Sequence, residues 1–131
     1  MSTSLPSSPT ALRVLLVDDH DDLRAMLCLL LERKRGYAVE TAASGKQALD
    51  VVERFSPDLV ISDIAMPGMD GFAMLDEMKA RDLSPFKAIA LSGNEADYHN
   101  RPDSAYDAHL VKPVDFTTLF ATIDKLTQPQ A

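Results

Sequence analysis

A single cysteine, Cys28, occurs in the 131 residues, so no disulfide can close within the chain and a reducing compartment is the natural setting. Basic residues are the minority: 13 Lys and Arg stand against 20 Asp and Glu, for a net charge of −7. A phosphate-binding face needs a basic stripe, so nucleic acid is not an expected partner. Long apolar runs are missing too. The longest runs only from Ala25 to Leu31, far short of a membrane span. The first ten residues hold no positive group and no apolar block, so a secretory signal is not expected in them. A soluble cytoplasmic protein without a membrane partner is the expectation.

What is present suits one globular domain. The hydrophobic fraction is 46% with 25% charged residues, an ordinary mix for a packed core, and the length fits one domain rather than two. Residues 1–11, rich in Ser, Thr and Pro, read as a disordered arm; 12–126 form the domain and 127–131 a flexible tail.

Within the domain, strand and helix signals alternate. Residues 12–17 are nearly all apolar and stop at Asp18, the pattern of a buried strand. From about Asp21, Leu23, Met26, Leu27, Leu30 and Leu31 fall on one helical face, and Gly36 ends the helix. A second strand spans 38–42. Ser44 and Gln47 form a capping box opening a helix that buries Ala48, Val51 or Val52, and Phe55. A third strand covers 59–62. The turn residues of 66–71 make a loop before a stripe of Phe72, Leu75 and Met78. Strands at 88–91 and 108–111 follow, and Asp115 caps a last helix with Phe116, Leu119, Phe120, Ile123 and Leu126 inward. Met26, Met74 and Met78 are expected to fill the core, Met66 and Met69 to be partly exposed, and Cys28 to act as an inert apolar residue. Five short apolar strands separated by helices imply a parallel sheet covered on both faces. Residues 94–104 break the rhythm, because Pro102 and the scarcity of apolar residues oppose a full helix.

The charges at the strand ends carry the chemistry. Asp18 and Asp19 follow the first strand, Asp63 the third and Lys112 the fifth. In a doubly wound sheet of order 2-1-3-4-5, ligands bind beyond the carboxyl ends of strands one and three. Three carboxylates gathered there repel one another, and a divalent cation resolves the conflict. Oxygen ligands favour Mg²⁺ with a phosphate oxygen in its sphere. His20 is read as a loop residue beside this set and not as a reason to choose a transition metal.

The runs Val14-Leu15-Leu16-Val17-Asp18-Asp19, Asp63 with Met66-Pro67-Gly68-Met69-Asp70-Gly71, Ser92-Gly93 and Lys112-Pro113 resemble the receiver domains of two-component response regulators, from about Leu12 to Leu126. The resemblance implies a flavodoxin-like fold with a shortened or absent fourth helix. It implies that Asp63 accepts a phosphoryl group from a histidine kinase or histidine phosphotransfer protein. Asp19, Asp63 and the Ala65 carbonyl would bind Mg²⁺, with Asp18 acting mainly through water. Lys112 and Ser92 would contact phosphoryl oxygens, and the Lys112–Pro113 peptide would be cis. Such a protein promotes its own phosphorylation and dephosphorylation and is not otherwise an enzyme.

Two departures stand out. His109 occupies the position of the switching aromatic residue, so Ser92 and His109 form the expected switch pair. Residues 94–104 are expected to order or move on phosphorylation. The lack of sequence for a further domain after the last helix suggests output through a downstream protein, from a monomer or a weak phosphorylation-dependent dimer. Two alternatives are a receiver-like binding module that works without phosphorylation and a phosphohydrolase of the haloacid dehalogenase type, suggested by Asp19-His20-Asp21. Leu23 stands where the latter family needs Thr or Val.

Overall fold

The structure, a computed structural model, describes residues 11–93 and 104–128. Five strands occur in them: β1 (Arg13–Val17), β2 (Ala38–Ala42), β3 (Leu59–Asp63), β4 (Lys87–Ser92) and β5 (Ala108–Val111). Four helices occur among the described residues: α1 (Asp21–Arg35), α2 (Gly45–Phe55), α3 (Gly71–Ala80) and α4 (Phe116–Thr127). All strand pairs are parallel and the order is β2-β1-β3-β4-β5, the flavodoxin-like arrangement. The expected shortened fourth helix falls within 94–103, outside the described residues, as does nearly all of the segment expected to order on phosphorylation.

Side chains alternate across a pleated sheet, and here the alternation sorts the core into two halves. Val14, Leu16, Leu59, Ile61, Ile89 and Leu91 meet Leu27 and Leu31 of α1 and Leu119 and Ile123 of α4. Leu15, Val17, Val60, Ala88 and Ala90 meet α2 and α3 on the opposite face. The three inner strands are therefore apolar at nearly every position, because neither face sees water.

Local signals set most boundaries. Ser44 Oγ accepts from Gln47 N at 3.1 Å, as the capping box requires. The Gln47 side chain accepts instead from Ala43 N, one residue before the cap. Gly36 adopts φ 66° after α1, where a Cβ is disfavoured, and its N–H reaches the Glu32 carbonyl. Both Val51 and Val52 are buried.

Several expectations need correction. Met26 is 45% exposed, because Leu27 and Leu31 form the ridge against the sheet and a residue one step away is turned by about 100°. Met66 is buried under the loop that holds it, while Met69 is half-buried. Asp115 occupies the N-cap of α4 but makes no bond to a helix N–H; its carboxylate accepts from the Thr118 hydroxyl at 2.6 Å. β1 starts one residue later than expected, β3 runs one further to include Asp63, and β4 gains Lys87 and Ser92. Cys28 is half-buried against the α1–α4 side of the core, and burial raises its thiol pKa, consistent with an inert residue.

Candidate functional site

Strand register brings the charged ends together. Val17 lies beside Ser62, Asp63 beside Leu91, and Ser92 beside Val111. Asp63 and Ser92 close β3 and β4 while Asp18 and Lys112 follow β1 and β5, so all four stand on one edge of the sheet. Backbone bonds carry the alignment past the strands. Asp18 N donates to Ala42 O at 3.1 Å, Ile64 N to Leu91 O at 3.0 Å, and Lys112 N to Ser92 O at 2.7 Å.

Asp18 is fully buried and Asp63 is 2% exposed. The Lys112 ammonium reaches both, with Nζ 3.4 Å from Asp18 Oδ2 and 3.3 Å from Asp63 Oδ2. Buried carboxylates facing a buried-stem lysine offset part of their mutual repulsion. The compensation is incomplete. Asp63 Oδ1 accepts from Ala65 N at 3.1 Å, but Asp63 Oδ2 and Asp19 Oδ1 are buried with no aligned hydrogen-bond donor. Burial accordingly raises the Asp63 pKa, with the Asp18 charge adding to it and the Ala65 N–H and Lys112 opposing.

The chain's own residues hold this geometry rigidly. Arg24 anchors the turn after β1, its Nη1 donating to Asp18 O and its Nη2 to Asp21 Oδ1, both at 2.7 Å. Gly71 opens α3 against the strand that carries Asp63. A Cβ there would come within 2.6 Å of Ile64 Cα and 2.7 Å of Asp63 O. Tyr106, buried just before β5, donates its hydroxyl to Gly71 O at 2.8 Å and packs edge-on to Phe72. The peptide between Lys112 and Pro113 is cis, as expected. Ser92 Oγ lies 2.7 Å from His109 Nε2, so the two residues of the expected switch pair are in contact.

All the anticipated side chains thus lie at or beside one edge, and Ala65 joins them through its N–H. One more does so that sequence reasoning set aside. His20 Nδ1 lies 3.0 Å from Asp18 Oδ1, 3.4 Å from Asp19 Oδ1 and 3.8 Å from Asp63 Oδ2. Asp18, Asp19, His20 and Asp63 each offer one ligand atom, all within 4.8 Å of one another, so this cluster could hold a metal ion. Two buried oxygens without an aligned hydrogen bond are what a cation would satisfy. Tyr106 and Gly71 were also missed as supports; the Met66–Gly71 run signalled a loop but not what braces it.

The doubly wound five-stranded parallel sheet is that of CheY-like receiver domains. The chain belongs to the response regulator receiver domain family, whose model matches residues 14–124. It is 34% identical over 114 residues to sporulation initiation phosphotransferase F of Bacillus subtilis, covering 86% of this chain and 91% of that protein. It is 36% identical over 133 residues to the sensor kinase CckA of Brucella abortus, covering 98% of this chain but 14% of the kinase. The chemotaxis response regulator CheY4 of Vibrio cholerae superposes with a TM-score of 0.79 at 29% identity, covering 88% of this chain and 98% of that one. The chain spans about half the length (48%) of the Streptomyces coelicolor regulatory protein AfsQ1, which it also matches. It is thus a receiver domain of the two-component and phosphorelay type. Among the described residues, no helix is long and apolar enough to cross a membrane.

Proposed function

We propose that Asp63 is the phosphoacceptor of this receiver, taking the group from a histidine kinase or histidine phosphotransfer protein in the cytoplasm and altering contacts with a downstream protein. One observation carries the reading: a carboxylate that is 2% exposed keeps an oxygen without an aligned donor, 3.3 Å from a lysine ammonium. An ionised group is held this way at a cost in stability, and such groups concentrate where chemistry is done.

An Asp63 carboxylate oxygen attacks phosphorus, and an O–P bond forms as the P–N bond to the donor histidine breaks. The electron pair of that bond stays on the imidazole nitrogen. Transfer of this kind needs positioning and charge neutralisation more than covalent assistance. The Lys112 ammonium, which pairs with Asp63 in the resting protein, is placed to take a phosphoryl oxygen. The Ser92 hydroxyl is the second donor, oriented by His109, and the Ala65 N–H holds the other side of the Asp63 carboxylate. Asp19, Asp63 and the Ala65 carbonyl are the residues that would hold Mg²⁺, with Asp18 assisting through water. That ion supplies charge neutralisation for the phosphoryl oxygens when bound. Turnover of an independent substrate is not part of this reading.

A receiver-like module working without phosphorylation has no use for this set of groups, whose crowding destabilises the fold. The test is incubation of the full chain with Mg²⁺ and acetyl phosphate, followed by intact mass measurement. A single phosphoryl adduct is expected on the wild type and none on Asp63→Ala. An unmodified wild type that is folded by circular dichroism, or an equally modified variant, overturns the assignment.

A further inference from the structure

The cation site has a nitrogen donor that the oxygen-only reading leaves out. His20 follows the aspartate pair at the N-cap of α1, in extended backbone (φ −91°, ψ 106°), and its side chain makes no capping bond. The ring turns back over the acidic crevice instead. The His20 backbone N–H donates to Asp18 Oδ1 at 2.8 Å, and the ring Nδ1 faces the same oxygen at 3.0 Å.

Nδ1 is hydrogen-bonded to Asp18 Oδ1 in the metal-free protein, and its separations from the three carboxylates are short enough for one ion to replace that contact. Ligands about 2.0–2.2 Å from a first-row cation stand about 3 Å apart at right angles and about 4.2 Å apart when opposite. Nδ1 lies at 3.0, 3.4 and 3.8 Å from oxygens of Asp18, Asp19 and Asp63, and all four ligand atoms fall within 4.8 Å of one another. Asp63 is 2% exposed, and the two buried crevice oxygens that make ion pairs but no aligned hydrogen bond, Asp19 Oδ1 and Asp63 Oδ2, are two of these three. The ring edge facing the water is half open, with the His20 side chain 64% exposed, so an ion has an approach from solvent.

Resting on the cation-site reading above, we propose that His20 is a metal ligand and makes this crevice a mixed nitrogen–oxygen site for a borderline first-row divalent cation of the Zn²⁺ and Co²⁺ class. Imidazole suits these ions, whereas Mg²⁺ prefers oxygen alone and dehydrates reluctantly. His20 therefore widens the range of metals beyond what three carboxylates select. A cation held by all four side chains would engage Asp63 through Oδ2, the oxygen facing His20.

The test titrates the metal-free full chain with CoCl₂ and, separately, with MgCl₂ by calorimetry, and records the visible absorption of the Co²⁺ form. Wild type and His20→Ala are compared; the exposed ring without a capping role makes this truncation tolerable to the fold. In the variant the ratio of Co²⁺ to Mg²⁺ affinity falls about tenfold or more, the scale on which even an indirect metal partner acts. The Co²⁺ absorption changes to that of an all-oxygen site. A Mn²⁺-loaded sample examined by electron spin-echo spectroscopy shows imidazole-nitrogen coupling in the wild type and none in the variant. An unchanged affinity ratio, or nitrogen coupling that is absent from the wild type, overturns the assignment. So does an equal loss of affinity for both metals, because that pattern means His20 acts only by positioning Asp18. Failure here is separable from failure of the phosphoacceptor reading, which is decided by the Asp63 adduct formed in Mg²⁺.

Discussion

The Ser92 hydroxyl lies 2.7 Å from Nε2 of His109, linking the ends of β4 and β5 diagonally across one face of the sheet. Val111 stands beside Ser92 in the register, and His109 lies two residues earlier, so both point to that face. A ring nitrogen in contact with the serine constrains the direction in which the hydroxyl hydrogen can point. His109→Ala removes the contact and should lower stability by about 1 kcal/mol, the usual worth of one hydrogen bond. It should slow labelling of Asp63 less than loss of Lys112 does, while the amide shifts along β5 stop responding to beryllofluoride. Two-dimensional NMR of the two proteins with and without the mimic decides the point. A normal β5 response in the variant removes His109 from the switch.

Lys112 serves two opposed roles, and a substitution should separate them. Its ammonium neutralises Asp18 and Asp63 at 3.4 and 3.3 Å in the metal-free protein. A divalent cation offers the same carboxylates the same service, so lysine and metal compete. Lys112→Ala is expected to bind Mg²⁺ more tightly than wild type while forming the Asp63 adduct about 10²-fold more slowly, the scale of losing one preorganised charge donor. Calorimetry and timed intact-mass measurements check the two halves. Weaker metal binding in the variant contradicts the competition.

Much of this architecture was legible because each inner strand is a short apolar run that ends in a charge. Asp18 and Asp63 announced strand ends that the register brings to one edge of the sheet. The two-sided burial of β1, β3 and β4 leaves no other role for such runs. Elements that depend on who packs opposite were less legible. Met26 fits the helical stripe on paper, yet the sheet selects the Leu27–Leu31 ridge and leaves Met26 in water. Tyr106 carries no pattern of its own, since its hydroxyl meets Gly71 across 35 residues of chain. The direction of the His20 ring was not legible, because it depends on the N-cap backbone, which spacing does not encode.

The buried charge of Asp63 has a thermodynamic signature. Burial, ahead of the other influences, raises its folded-state pKa above the unfolded value. The folded protein then holds that proton more tightly than the unfolded chain, so this residue's contribution to stability falls as pH rises from the unfolded towards the folded pKa. Above the folded pKa the ionised, buried side chain is a net burden. Asp63→Asn should therefore make the metal-free protein more stable by about 0.5–2 kcal/mol, the range of gain when a functional site is relaxed. The advantage shrinks as pH falls below the folded pKa. Thermal unfolding in EDTA across pH 4–7 tests it, and a variant melting no higher than wild type at pH 7 contradicts it.

Gly71 couples the fold to the site most directly. It begins α3, its N–H donates to Ile64 O at 3.0 Å, and its carbonyl accepts from the buried Tyr106 hydroxyl. An added Cβ meets Ile64 Cα at 2.6 Å, Asp63 O at 2.7 Å and Ile64 Cγ2 at 2.9 Å. Two of these are main-chain atoms, which cannot swing aside as a flexible side chain would. Relief requires α3 to retreat from β3 or the segment after Asp63 to shift. Overpacking of this kind costs about 1–3 kcal/mol, so Gly71→Ala should fold with reduced stability. Its distinctive effect should appear at the site, because the Ala65 N–H that holds Asp63 Oδ1 lies on the displaced segment. Adduct formation from acetyl phosphate should drop even well below the melting temperature. Tyr106→Phe is the control: it removes the hydroxyl from Gly71 O but adds no atom near Asp63. Gly71→Ala labelling as fast as Tyr106→Phe at equal folded fraction means that the close approach of helix and strand serves packing alone.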